Sequence, residues 1–320
     1  MKEIYIRDLK TGDEITDFFM IKNLQLKFGS NKKQYLDLLL GDCTGEISGK
    51  KWDVTDAELE VLEAIERNDI AKIKAQVTEW NGLRQLKVMK IRKAVSQDET
   101  DIRDFIKAAP EEPEEMYKFI KDIAAGSIKD TKLRAITEKF LRDEKDKLLY
   151  YPAASKNHHA EMAGLLWHIK RMLMMAERYC EVYTNLSRDL LITGVILHDM
   201  EKLTEMISDE NGIVSDYSFE GLLLGHIVSG VKKIDKMAAE IGLSEEKTIM
   251  LEHMILSHHY EPEYGSPKRP LFPEAEVLHY LDIVDASIYD MEEALDATDK
   301  GEFSEKVWTL DNRRLYKKEW

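Results

Sequence analysis

Leu190-Leu191-Ile192-Thr193-Gly194-Val195-Ile196-Leu197-His198-Asp199-Met200-Glu201-Lys202 is an almost wholly apolar run that ends in charged and metal-capable side chains. Without Pro, and with Gly only at 194, it predicts a helix buried on most faces. Burying the His198 imidazole and the Asp199 carboxylate at its end is costly unless something pairs with them, and a divalent cation satisfies both at once. A core His bonded to a neighbouring Asp would also satisfy them, and for an isolated pair that simpler arrangement is the commoner one. The other histidines change the balance: all nine lie between His158 and His279, with none in the first 157 residues or the last 41.

Read outward from that run, the candidates are His158-His159, His168, His198-Asp199, His226, His253, His258-His259, His279 and Asp282. Most close an apolar helical stretch. Ala163-Gly164-Leu165-Leu166-Trp167 leads into His168, Gly221-Leu222-Leu223-Leu224-Gly225 into His226, and Met254-Ile255-Leu256-Ser257 into His258-His259. A helical bundle can bring such positions to one level, where several ligands share a cation or a cation pair. Residues 116–125 and 130–145 have amphipathic helical spacing, and helix follows helix to about residue 298 with no convincing strand.

The first 95 residues have a different period. Residues 18–27, 35–40 and 46–54 read as strands, 56–68 as a short helix, and 70–80 and 83–94 as two further strands joined at Asn81-Gly82, a strong hairpin signal. Three strands, a helix and two strands is the order of an OB-fold barrel, which binds single-stranded nucleic acid or oligosaccharide on one face. Lys32, Lys33, Lys50 and Lys51 are candidates to follow phosphates, and Phe28, Tyr35 and Trp52 to stack on bases, although each ring would serve equally as barrel core. Residues 96–115, acidic and carrying Pro110 and Pro113, read as a linker. The expected organisation is therefore multi-domain: an all-β barrel over 1–95, the linker 96–115, an all-α bundle over 116–298 and a tail over 299–320.

Composition narrows the function classes. The net charge is −15, but residues 1–95 carry 17 basic against 16 acidic side chains while the rest carries 29 against 45, so a polyanion docks most easily on the first segment. No window approaches the roughly 18–20 apolar residues of a membrane span, so no membrane partner is expected. The start, MKEIYIRDLKTGDEI, lacks the apolar core of a secretory signal, which makes a cytoplasmic protein the expectation. With only Cys43 and Cys180 present, a metal must be held by imidazole and carboxylate.

The ordered set His168, His198-Asp199, His226, His258-His259, Asp282, with Lys202 three residues after Asp199, resembles the HD superfamily of metal-dependent phosphohydrolases in its two-metal form. The flanking words Pro152-Ala153-Ala154-Ser155-Lys156-Asn157-His158-His159-Ala160, Gly164-Leu165-Leu166-Trp167-His168 and Tyr264-Gly265-Ser266-Pro267-Lys268, behind a barrel, resemble the YhaM-type 3′-to-5′ exoribonucleases over nearly the full chain. That resemblance implies His168, His198, Asp199 and Asp282 around one metal, Asp199 bridging to a second held by His226, His258 and His259, and Lys202 offsetting charge on the phosphate. Asp199 and Lys202 are thus the expected catalytic residues. His158 and His159 are expected to line the substrate cleft.

Imidazole and carboxylate suit Mn²⁺, Fe²⁺, Co²⁺ or Zn²⁺ alike, with Mn²⁺ the ion expected, and two ions about 3.5–4 Å apart can activate a bridging water for in-line displacement. The implied activity is hydrolysis of single-stranded RNA, with single-stranded DNA and self-association left open, to nucleoside 5′-monophosphates. A second reading is hydrolysis of a small or cyclic nucleotide with the barrel as regulatory module. A third is a binding protein with a closed, structural metal. Glu201 departs from the family's word, which has Gly there.

Overall fold

The computed structural model describes residues 1–29, 33–52, 54, 62, 64–155 and 159–320, and divides into two compact units, Met1–Ala108 and Ala109–Trp320. In the first, β1 (Glu14–Phe28), β2 (Gln34–Asp42), β3 (Gly45–Trp52), β4 (Ile70–Trp80) and β5 (Leu83–Lys93) close a barrel in the order β1-β2-β3-β5-β4. β1 is long enough to serve two partners: residues 14–20 pair with β4 and residues 20–28 with β2, across a bulge between Ile21 and Asn23. Asn81 and Gly82 both take positive φ, 52° and 78°, the backbone a two-residue hairpin of this hand requires. Phe19, Ile21, Leu36, Leu38, Leu40, Ile73 and Leu86 fill the interior.

The period of two decides which barrel side chains meet solvent. On β3, Ile47, Gly49 and Lys51 are buried while Ser48 and Trp52 are exposed. The helix expected over 56–68 falls largely outside the described residues, though Leu62 and Ile65 join the barrel core. The acidic stretch 96–115 is not free along its length. The Asp98 carboxylate takes two bonds of 2.7 Å from Arg92, the Asp104 carbonyl accepts the Cys43 N–H at 3.0 Å, and Phe105 is fully buried.

The second unit is built from α1 (Pro113–Ser127), α2 (Thr131–Asp143), α3 (Lys145–Leu148), α4 (Gly164–Val182), α5 (Arg188–Leu197), α6 (Lys202–Glu205), α7 (Phe219–Ile241), α8 (Glu245–Ser257) and α9 (Pro273–Asp296). The quoted run forms α5, started by the Ser187 hydroxyl accepting the Leu190 N–H at 3.3 Å. Every residue from Leu190 to Leu197 is buried, and α5 touches α1, α2, α4, α8 and α9, so it is the central helix. Each fully buried Leu, Ile or Val in it contributes about 1.5–3 kcal/mol of transfer free energy. Gly194 lets α8 approach: a Cβ there would lie 2.2 Å from the Met254 methyl carbon. The helix stops at Leu197, and the chain turns through His198 to Glu201 before α6.

The bundle also holds a short hairpin, β6 (Met206–Ser208) with β7 (Val214–Tyr217), where only helices were expected. Residues 299–320 fold back on themselves through the bridges Phe303 to Tyr316 and Val307 to Arg313. Among the described residues no helix is long and apolar enough to cross a membrane.

Candidate metal centre

Five helices deliver side chains to one place. His168 sits in the first turns of α4, His198 and Asp199 just past α5, His258 and His259 just past α8, and Asp282 mid-way along α9. His226 follows a break inside α7, where Gly225 adopts φ 68° and ψ 169°, a conformation open essentially to Gly alone.

Around Asp199 the spacing is tight. Its Oδ2 is 3.3 Å from His198 Nε2, 4.0 Å from His168 Nε2 and 2.7 Å from Lys202 Nζ. Its Oδ1 is 3.5 Å from His226 Nε2 and 3.7 Å from His258 Nε2. Asp282 Oδ1 lies 3.4 Å from His168 Nε2, which in turn lies 3.3 Å from His198 Nε2.

Each of these imidazoles is turned by a bond at its other nitrogen. The Nδ1 groups of His198 and His258 each meet the carbonyl three residues back, Val195 and Ile255, at 2.7 Å. His259 Nδ1 meets the Tyr264 carbonyl at 2.7 Å, His168 Nδ1 meets Asp285 Oδ2 at 2.8 Å, and His226 Nδ1 meets Glu205 Oε2 at 3.1 Å. A carbonyl or carboxylate only accepts, so Nδ1 carries the proton and the Nε2 lone pair is left for a metal.

The electrostatics of His258, His259, Asp199 and Asp282 agree with ligand states. Burial pushes His258 and His259 below the usual imidazole range and keeps them neutral. Burial opposes ionisation of Asp199, but Lys202 and His198 beside it hold the carboxyl well down, as His168 does for Asp282. His168 differs: burial works against its charged form, yet its bonds to Asp282 and Asp285 carry it up to about 9, so an ion bound at Nε2 would have to displace a proton there.

Asp199 Oδ1, His226 Nε2 and His258 Nε2 are buried and have no hydrogen-bond partner among the described residues. Each unsatisfied buried polar atom costs about 1–3 kcal/mol, and these three converge on one another. A cation is what such a set accommodates, and the donor types suit a transition metal. Among the described residues three groups are close enough to share an ion: Asp199 with His226, His258 and His259, His168 with His198 and Asp282, and His159 with His168 and Asp285, where the atoms are already hydrogen-bonded to one another. The structure therefore brings together the seven side chains that the resemblance implied as ligands.

Other expectations fare differently. His158 and Lys32 lie outside the described residues. His159 cannot line a cleft: it has no exposure, its Nε2 bonds Asp285 Oδ2 at 2.8 Å, and its ring packs 4.1 Å from Tyr289. It stands behind His168. His279 Nδ1 meets the His258 carbonyl at 2.7 Å, and His253 Nε2 accepts the Leu271 N–H at 3.1 Å. Glu201 turns away from the cluster and pairs with Lys233 at 2.9 Å. Asp285 and Glu205, which orient two of the ligands, went unread in the sequence. Asp285 lies one helical turn after Asp282, a spacing that would have pointed to it.

On the barrel, Tyr35 and Trp52 are cross-strand partners stacked at 4.6 Å, with Lys50 Nζ 5.7 Å from the Tyr35 ring. Trp52 and Phe28 are 44% and 70% exposed and Lys33 is exposed. Lys51 is corrected: its place in the β3 alternation turns it inward, where it is 5% exposed, so it does not follow phosphates. Trp80, 66% exposed beside the Asn81-Gly82 turn, was not singled out from the sequence.

The HD domain family model matches residues 165–287, the span that holds all seven candidate ligands. The 3′-5′ exoribonuclease YhaM of Geobacillus sp. (strain WCH70) is 37% identical over 308 residues, 96% of this chain and 93% of that protein. The chain belongs to the YhaM family. Its similarity to YhaM runs through barrel and bundle alike, since so little of either chain is left unmatched. Solved structures similar to part of this YhaM-family chain include the second OB-fold domain of replication protein A from Methanococcus maripaludis, with 19% identity, 32% of this chain, 100% of that one and a TM-score of 0.23. The OB domain of Ta0387 from Thermoplasma acidophilum is another, with 18% identity, 28% of this chain, 85% of that one and a TM-score of 0.23.

Proposed function

We propose that this chain is a metal-dependent 3′-to-5′ exoribonuclease that holds two divalent ions, Mn²⁺ foremost, and releases nucleoside 5′-monophosphates from single-stranded RNA in the cytoplasm. The observation that carries the reading is the convergence of Asp199 Oδ1, His226 Nε2 and His258 Nε2, buried and without hydrogen-bond partners, in a chain whose YhaM relative is alike over nearly its whole length. Bound there, divalent ions supply Lewis acidity and an activated water at the phosphodiester. The chain's own residues do the positioning. His168, His198, Asp199 and Asp282 would hold one ion, and His226, His258 and His259 the other with Asp199 between. Lys202, whose amine lies 2.7 Å from Asp199 Oδ2, keeps a buried positive charge where the phosphate arrives.

The barrel would grip the strand. Its β2–β3 surface, with Tyr35, Lys50 and Trp52, and the β4–β5 turn beside Trp80 are where OB-folds take oligonucleotides. The test is metal-stripped protein with 5′-labelled single-stranded RNA, Mn²⁺ restored or withheld, and Asp199→Ala alongside. The expected result is a ladder that shortens from the 3′ end only with metal and Asp199 present. Intact RNA at full metal occupancy would refute it and favour a small-nucleotide phosphohydrolase.

A further inference from the structure

The segment from Tyr260 to Arg269, which follows the double histidine, is fastened to the metal centre from both of its ends. On one side the Tyr264 carbonyl takes the bond from His259 Nδ1 at 2.7 Å, and the hydroxyl of the fully buried Ser266 accepts the His259 N–H at 3.1 Å. On the other, Arg269 lies 4.7 Å over the Tyr260 ring, Tyr260 stacks on His279 at 4.7 Å and 29°, and His279 bonds the His258 carbonyl. Gly265 between them takes φ 97°, and a Cβ added there would come within 3.1 Å of Ile227, the neighbour of His226. The turn is thus wedged between the break in α7 and the histidine-bearing end of α8.

From this turn the Tyr264 side chain stands out into solvent. It is 70% exposed, and among the described residues no ring contact engages it, whereas Tyr260 is sandwiched. Its main chain orients a candidate metal ligand, so its Cα is held beside the point where a phosphodiester would be bound and the ring can reach what is attached there. A ring so placed offers a π-face to whatever is attached to that phosphate. Every nucleobase has a matching face, so stacking would hold the terminal nucleotide without selecting its sequence.

We propose that Tyr264 is the stacking platform for the base of the 3′-terminal nucleotide, a binding residue that sets how well each new chain end is seated. The proposal rests on the exoribonuclease reading. Substitution leaves the Tyr264 carbonyl in place, so the bond that orients His259 survives and bound metal should not change.

The test compares wild type, Tyr264→Ala and Tyr264→Phe on a short RNA and on the same RNA with an abasic 3′-terminal residue, with metal content measured in each protein. Tyr264→Ala should raise KM for the intact RNA about tenfold, within the range for losing one base–aromatic stack. Tyr264→Phe should match wild type, and on the abasic RNA all three proteins should be alike. Equal loss by Tyr264→Ala on both substrates, or loss of metal, would overturn the proposal in favour of a purely structural turn. No wild-type cleavage of any RNA would instead overturn the exoribonuclease reading beneath it.

Discussion

At the scale of single residues, the candidate centre depends on a layer of groups that stand behind its proposed ligands. Asp285 Oδ2 is shared by His159 Nε2 and His168 Nδ1 at 2.8 Å each, while Oδ1 forms an ion pair with Arg171 Nε at 2.6 Å. Glu205 does the same service for His226, binding both its ring and its backbone N–H. Replacing such partners typically weakens metal binding about 10–100-fold. Asp285→Asn should therefore weaken the ion held with His168, and Glu205→Gln the ion held with His226. Equilibrium dialysis against Co²⁺ reads each variant as one weakened and one unchanged class of site; a uniform loss in both would sink the division into two half-sites. The ligands were legible in the sequence because His is rare here, nine in 320, and clustered. Their supports were not, because 61 acidic side chains give no reason to prefer Asp285 or Glu205, and three supports are backbone carbonyls that any residue supplies.

At the scale of elements, what matters is where each one ends or breaks. α5 could be read directly, since an apolar run bounded by Ser187 and His198 has little choice of structure. The break in α7 could not: Leu222-Leu223-Leu224-Gly225-His226-Ile227 reads as one continuous helix, yet Gly225 leaves helical space and re-aims His226 at Asp199. Gly225→Ala should cost about 1–3 kcal/mol, the penalty for a side chain at such a backbone, seen as a lower urea midpoint. It should also release metal from the group of Asp199, His226, His258 and His259. Destabilisation with both ions retained would show that the break only accommodates packing. Strand parity was legible but misapplied to Lys50-Lys51, because adjacent basic residues look like a pair while a strand sends them to opposite faces. The β6–β7 hairpin has strands of only three and four residues, too short for alternation to show.

At the scale of the whole molecule, charge and division of labour are linked. Residues 1–95 are nearly neutral while the remainder carries 29 basic against 45 acidic side chains, so net attraction does not bring RNA to the bundle. On the proposed reading, local features on the barrel would supply the affinity for long strands, with salt-sensitive contacts from Lys33 and Lys50 and salt-tolerant stacking from Trp52 and Trp80. The first unit runs to Ala108 and buries Phe105 and Ile106, so the informative cut lies after Ala108 and not after Val95. A protein spanning residues 109–320 should cleave a dinucleotide at a rate close to the full chain while its affinity for long single-stranded RNA falls at least about tenfold. The paired variant Trp52→Ala and Trp80→Ala in the full chain should reproduce much of that fall with dinucleotide turnover unchanged, which separates loss of contacts from damage by truncation. Binding titrations across a salt series check both proteins. Full affinity for long RNA in either one would place the grip on the bundle, and the barrel would then need a different ligand.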